Sequence, residues 1–308
     1  MKNFINISDH SSNDLRAIID EAKARKFNRK NLNKSAPDED KPFEGKSMAM
    51  IFEKPSTRTR MSFDIAAKQL GGASIILNPD EIHYGKGDET LKDTAKVLTE
   101  YVDIIMLRTS SHNNLEEFGK HLDIPIINGL SDKSHPCQIM SDILTYEESN
   151  GPITGKTISW LGDGDNNMSN SLIEAAGKFK FNLKIGCPKK YAPGKKILGW
   201  AKKNKVNLLI TQKPDEAVKN SDCVMTDKWV SMNDKVNKKT KKKVLKPFQV
   251  NKNLMKKANS NAIFMHCLPV GRGEEVTDEV IDGKQSVVWR QALNRVHAQK
   301  SIIKWCLD

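Results

Sequence analysis

Phe52-Glu53-Lys54-Pro55-Ser56-Thr57-Arg58-Thr59-Arg60-Met61-Ser62-Phe63 is the stretch around which the rest of the chain is organised. It starts at the end of a short apolar run, Met48 to Phe52, of the kind a buried parallel strand needs. Pro55 stops that run, and Ser56 or Thr57 then supplies the N-cap of a helix that continues through Ile65, Ala66, Ala67 and Leu70 to a stop at Gly71-Gly72. A helix start carries unpaired N–H groups and a partial positive charge. Hydroxyl side chains and two guanidinium groups in the same turn make an anion cradle suited to a phosphate, with Arg58 placed to bind oxygens bidentately.

Outward from the cradle, helical and strand patterns alternate. Ser8 to Lys26 reads as a first helix capped at Ser11 or Ser12, and the polar stretch Asn28 to Gly45 as a linker. Ala73 to Leu77 is a second strand, and the loop from His83 to Asp88 is either a lid or a surface turn. A helix over Leu91 to Tyr101 leads to a third strand, Ile104 to Leu107, ending on Arg108-Thr109. Leu115 to Leu122 is the next helix and Ile124 to Ile127 the fourth strand, followed by Asn128-Gly129. Short loops and regular alternation predict an α/β fold with a doubly wound parallel sheet, in which ligands bind beyond the carboxyl ends of strands, where Arg108 lies. His135-Pro136-Cys137-Gln138 opens a helix over Gln138 to Glu148, and a spacing of three lets His135 and Gln138 face one ligand.

Gly151-Pro152 and Gly155 mark a break, after which a second α/β pattern begins with the strand Thr157 to Leu161. Its first loop, Gly162-Asp163-Gly164-Asp165-Asn166-Asn167, superficially has the form of a dinucleotide fingerprint, but the place of the third glycine falls to Asn167, so no dinucleotide is expected. Asp227 follows the apolar run Cys223 to Met225 and is either a turn residue or a carboxylate for a substrate ammonium. Cys267 follows the strand Asn261 to Met265, and Val287 to Trp305 is a closing helix.

With 308 residues, 38% hydrophobic and 29% charged, the chain can build two cores. The expected domains are 1–147, 148–286 and a C-terminal helix at 287–308. No apolar run approaches the roughly 18 residues that span a bilayer, and no signal-peptide core is visible, so a cytoplasmic protein with no membrane partner is expected. Five scattered cysteines without paired spacing argue against disulfides and a structural metal. The net charge of +12 raises nucleic acid or anionic substrates as partners. The lysine run from Lys235 to Lys246 lacks interleaved aromatics, however, and reads as a solvated helix face, so no nucleic-acid partner is expected.

The string from Phe52 to Arg60 closely resembles the carbamoyl-phosphate motif of the aspartate and ornithine carbamoyltransferases. Five later stretches resemble the same family in order and spacing: His135-Pro-Cys-Gln138, the Gly162 to Met168 loop, Asp227-Lys-Trp-Val-Ser231-Met232, His266-Cys267-Leu268-Pro269 and Arg295. The resemblance implies two α/β domains, with the helix carrying Arg295 packed back on the first. It implies that Ser56, Thr57, Arg58, Thr59, Arg108, His135, Gln138, Cys267, Leu268 and Arg295 bind carbamoyl phosphate, with Arg108, His135, Gln138 and Cys267 catalytic. Asn167, Asp227, Ser231 and Met232 would then hold the amino-acid acceptor, ornithine by the form of the last two loops. N-acetylornithine, putrescine and aspartate are the alternatives, and a nucleic-acid binder is the remote one. No metal or organic cofactor is implied, the assembly is a homotrimer or a multiple of trimers, and Lys86 is a candidate for reaching a neighbouring subunit's site.

Overall fold

The computed structural model describes residues 2–78, 89–230 and 237–308. It divides into two compact units, Met1–Leu144 with Leu293–Asp308, and Thr145–Ala292, called units 1 and 2 below. Nine strands are present among the described residues: β1 (Ser47–Phe52), β2 (Ala73–Leu77), β3 (Ile104–Arg108), β4 (Ile126–Leu130), β5 (Thr157–Leu161), β6 (Asn182–Gly186), β7 (Leu208–Thr211), β8 (Cys223–Thr226) and β9 (Ile263–His266). The α-helices are α1 (Ser12–Asn28), α2 (Thr57–Gln69), α3 (Leu91–Thr99), α4 (His112–Lys120), α5 (Pro136–Asn150), α6 (Asn167–Phe179), α7 (Lys195–Lys203), α8 (Pro214–Val218), α9 (Lys238–Leu245), α10 (Lys252–Met255), α11 (Asp278–Ile281) and α12 (Val288–Leu307).

Both sheets are parallel, in the order β2-β1-β3-β4 in unit 1 and β7-β6-β5-β8-β9 in unit 2. Helices on both faces explain why β1, from Met48 to Phe52, is buried throughout. In unit 1, Ile51, Ile105 and Leu107 pack against Leu115 and Phe118 of α4. In unit 2, Leu161, Val224 and Phe264 pack with Ala217 and Val218 of α8. The strand orders reverse between β1 and β3 and between β5 and β8, and crevices at such switch points are where open α/β sheets bind ligands.

The segment read as a linker is part of the core of unit 1. Phe43 is fully buried, and Asp38, also buried, accepts hydrogen bonds from Arg25 (3.0 Å), Arg29 (2.6 Å) and Lys300 of α12 (2.8 Å). Burial raises the Asp38 carboxyl, but these cations outweigh it and hold the group below the usual carboxylate range. The edge of β4 is closed by the N-terminal segment: Phe4 N–H donates to Ile126 O and Phe4 O accepts from Asn128 N–H, both at 2.8 Å. Phe4 stacks on His10 at 4.7 Å and meets Trp305 edge-on at 6.2 Å.

Strand β4 starts two residues later than expected, at Ile126, and runs three residues further, through Asn128-Gly129 to Leu130. A buried asparagine is tolerated there because its side-chain amide donates to Ile5 O (3.0 Å) and Ser134 Oγ (2.9 Å). Helix α4 begins at His112 rather than Leu115, capped by the Ser111 hydroxyl on Asn114 N–H. The lysine run is not uniformly a solvated face. Lys238, Lys239 and Lys243 are exposed, but Lys241 is buried and ion-paired with Asp163, because helical periodicity turns one position in four toward the unit. No helix among the described residues is long and apolar enough to cross a membrane.

Candidate active site

In unit 1 the register Phe52↔Arg108 places the ends of β1 and β3 side by side at the switch point. Glu53 ties them together. Its N–H donates to Arg108 O (3.0 Å), and its carboxylate accepts from the Thr109 hydroxyl (2.6 Å) and from Ser110 N–H (2.8 Å). The chain then enters α2, whose N-cap is Ser56, with Oγ accepting from Thr59 N–H at 3.4 Å. Ser56 therefore caps the helix and Thr57 is its first residue.

The first turn of α2 holds Arg58 and no acidic residue. That reverses the charge a helix dipole favours, an arrangement that becomes favourable when an anion sits at the N-terminus. Thr59 Oγ1, buried, accepts from Arg108 (3.1 Å) and from Arg295 of α12 (2.9 Å). The other arm of Arg295 donates to Gln138 Oε1 at 2.7 Å, and Gln138 Nε2 donates to Asp142 Oδ1 at 2.8 Å, which fixes the orientation of the amide. Thr59, Arg108, Gln138 and Arg295 are thus joined by hydrogen bonds.

His135 lies just before α5 and is 4% exposed. Burial, then the charges of Arg295, Arg108 and Arg58, push its pKa well below the ordinary value of 6.5. The imidazole is neutral at physiological pH, and three guanidiniums surround it closely enough to act on its charge. Sequence reasoning identified these residues but assigned no role to Glu53 or Asp142, whose partners lie elsewhere in the chain or one helical turn on.

In unit 2, Asn167 is the first residue of α6, after the β5 loop, and Asp227 directly follows β8, so the two come from the loops on either side of the second switch point. The Cys267 thiol donates to Asp227 Oδ1 at 3.1 Å, joining the two motifs that follow β8 and β9. Leu268 has φ +61°, and its N–H donates to His266 Nδ1 at 2.9 Å. With Nδ1 accepting, the ring proton sits on Nε2, which meets Glu275 Oε1 at 3.1 Å in a fully buried pair. Asp227, His266 and Cys267 bring donor atoms within 4.8 Å of one another. Both ring nitrogens of His266 are engaged by Leu268 and Glu275, so the group reads as a hydrogen-bonded loop rather than a metal centre. Ser231, Met232 and Lys86 lie outside the described residues. Sequence reasoning quoted His266 in its four-residue motif without giving it a role, and it missed Glu275 altogether.

Residues 2–148 match the aspartate/ornithine carbamoyltransferase, carbamoyl-P binding domain, and residues 154–306 match the aspartate/ornithine carbamoyltransferase, Asp/Orn binding domain. The chain is 51% identical over 308 residues to an ornithine carbamoyltransferase of Brucella ovis, covering 100% of this chain and 96% of that one. It is 50% identical over 306 residues to one from Nitrobacter winogradskyi, covering 99% and 97%. Among solved structures, ornithine carbamoyltransferase from Pyrococcus furiosus superimposes with a TM-score of 0.91 at 41% identity, covering 98% of this chain and 96% of that one. The enzyme of that name from Burkholderia thailandensis gives 0.89 at 38% identity, covering 100% and 99%. With both halves matched in order and nearly every residue covered, the chain belongs to the aspartate/ornithine carbamoyltransferase family.

Proposed function

We propose that the chain transfers the carbamoyl group of carbamoyl phosphate to the δ-amine of L-ornithine, giving L-citrulline and phosphate. The observation that carries this reading is the unit 1 cradle, in which Arg108 and Arg295 meet on Thr59 at a helix N-terminus beside a neutral His135. The neutral δ-amine nitrogen attacks the carbonyl carbon, the C–O bond to phosphate breaks, and the proton the nitrogen loses leaves on the departing phosphate as hydrogen phosphate. Ser56, Thr57, Arg58, Thr59 and Arg295 hold the phosphate and stabilise the charge it gains on leaving. Arg108, His135 and Gln138 polarise the carbonyl, the imidazole donating as a neutral N–H.

Unit 2 supplies the acceptor residues. Asn167, Asp227, Ser231 and Met232 take the amino-acid head, with Asp227 meeting the α-ammonium, and Cys267 with the Leu268 backbone lies beside the δ-amine. A free δ-amine has a lysine-like pKa of about 10, so the site must favour its neutral form. A carboxylate such as Asp227 attracts a diamino acid and repels the second carboxylate of aspartate. The domain assignment follows the same division: a carbamoyl-phosphate domain at 1–147, an ornithine domain at 148–286, and a helix at 287–308 that returns Arg295 to the cradle. The reading places the protein in arginine biosynthesis in the cytoplasm, as a homotrimer or a multiple of trimers. Exposed Met61, Ile75, Val97 and Tyr101, on or beside α2, β2 and α3, support self-association through unit 1. The test is citrulline formation with ornithine, N-acetylornithine, putrescine and aspartate offered in turn. Ornithine is expected to dominate, and equal turnover of aspartate or N-acetylornithine would refute the assignment.

A further inference from the structure

Helix α9 contains one lysine unlike its neighbours. Lys241 is 4% exposed, and its Nζ lies 2.6 Å from Asp163 Oδ2, in a carboxylate that is itself buried. The same ammonium sits 5.3 Å from the centre of the Tyr191 ring, so the pair is enclosed partly by an aromatic face. Burying two such ions carries a desolvation cost that an apolar pair of the same size avoids, so stability alone is a poor account of them.

What Lys241 grips is the turn that leads to Asn167. Asp163 Oδ1 accepts from Asp165 N–H (3.0 Å), and Asp163 O accepts from Trp160 Nε1 (2.8 Å) and Asn166 Nδ2 (3.0 Å). Asn166 in turn caps α6 by accepting Ser169 N–H at 2.9 Å, and the next residue is Asn167. Gly164 N–H donates to Tyr191 O at 2.8 Å, and Tyr191 shares a small buried cluster with Trp229, Val230 and Leu245, the last on α9 one turn beyond Lys241. Gly162 packs against the same tryptophan: a Cβ on it would lie 3.0 Å from Trp229 Nε1. One helix therefore grips both the Gly162–Asn167 turn and the segment that begins at Asp227.

We propose that the Lys241–Asp163 ion pair is a positioning device for the acceptor-binding loop, holding Asn167 in the geometry that receives the head of the amino-acid acceptor. The proposal rests on the ornithine reading above. Lys241 touches no reacting atom, so its signature is a rise in the KM for ornithine.

Wild-type citrulline formation is measured first, and its absence refutes the ornithine reading whatever the variants do. Given an active wild type, Lys241→Met is expected to raise the ornithine KM on the order of tenfold while the carbamoyl-phosphate KM stays within about twofold. Lys241→Arg, which keeps the charge, is expected to restore most of the loss. A merely structural role would lower kcat through fewer active molecules and leave the ornithine KM unchanged, and that result overturns the proposal. So does an equal KM rise in Lys241→Arg. Should Lys241→Met fail to fold, the double variant Asp163→Asn with Lys241→Gln leaves no buried net charge and carries the same expected rise and the same refuting result.

Discussion

Lowering the pH from about 7 to about 5 should weaken unit 1 through its buried histidines. His297, on α12, is pushed from 6.5 down to about 3 by burial and then by the charges of Lys300, Lys26 and Arg29. In the unfolded chain it titrates near 6.5, so between those two values the unfolded state binds a proton that the native state refuses. Unfolding therefore becomes easier as pH falls, and the contribution, complete above 6.5, is lost below it. For His297 the loss between pH 7 and 5 comes to about 2 kcal/mol. His135 acts in the same direction, lowered by burial and the arginine charges, and so does His112, lowered by burial and Lys133. Asp38 is held low by its cations and stays ionised throughout, so it does not contribute in this window. Urea unfolding at the two pH values, on the wild type and on His297→Asn, measures the effect. The variant should lose about 2 kcal/mol less than the wild type over the interval. A wild type as stable at pH 5 as at pH 7, or a variant with an unchanged pH dependence, would refute the argument that these imidazoles are buried neutral.

Arg58→Ala should lower steady-state turnover on the order of 100-fold or more, because it removes a preorganised donor from the departing phosphate, and near-normal kinetics would take the α2 turn out of the mechanism. Gly186→Ala should destabilise unit 2 by about 1–3 kcal/mol in urea unfolding, since the new methyl would lie 2.7 Å from Leu161 Cδ2 and 2.8 Å from Ala217 Cβ, and an unchanged midpoint would mean that this junction is loosely packed. Filter binding should show only weak, salt-sensitive adsorption of nucleic acid, and tight binding at physiological salt that disappears on neutralising Lys238, Lys239 and Lys243 would overturn the enzyme-only reading of α9.

The strands were legible because parallel strands covered on both faces are short, nearly continuous apolar runs, and Ala73–Leu77 and Thr157–Leu161 were placed to the residue. Local cap chemistry narrowed the start of α2 to Ser56 or Thr57, and the choice needed the backbone, since either hydroxyl could cap a helix. Long-range polar pairing was beyond reach. Asp38 reads as a loop residue until Lys300 is brought to it, and Lys241 is one lysine in a run until Asp163 is seen beneath it. The neutral state of His135 depends first on its burial and then on arginines supplied by α12, β3 and α2, so no local window of sequence could reveal it.

The return of α12 to unit 1 has a consequence for the order in which the protein is made. Translation releases the chain from its N-terminus, and domains generally fold as they emerge. Unit 2 is one uninterrupted stretch, Thr145–Ala292, and has all its residues before Arg295 exists. Unit 1 is interrupted: Arg295 reaches Thr59 across 236 positions and Lys300 reaches Asp38 across 262. Until those residues are released, Asp38 lacks one of its three buried cations and Thr59 one of its two guanidinium donors. The half of the protein synthesised first is therefore the half completed last, and a nascent chain halted before residue 295 has the α2 turn but not the finished cradle.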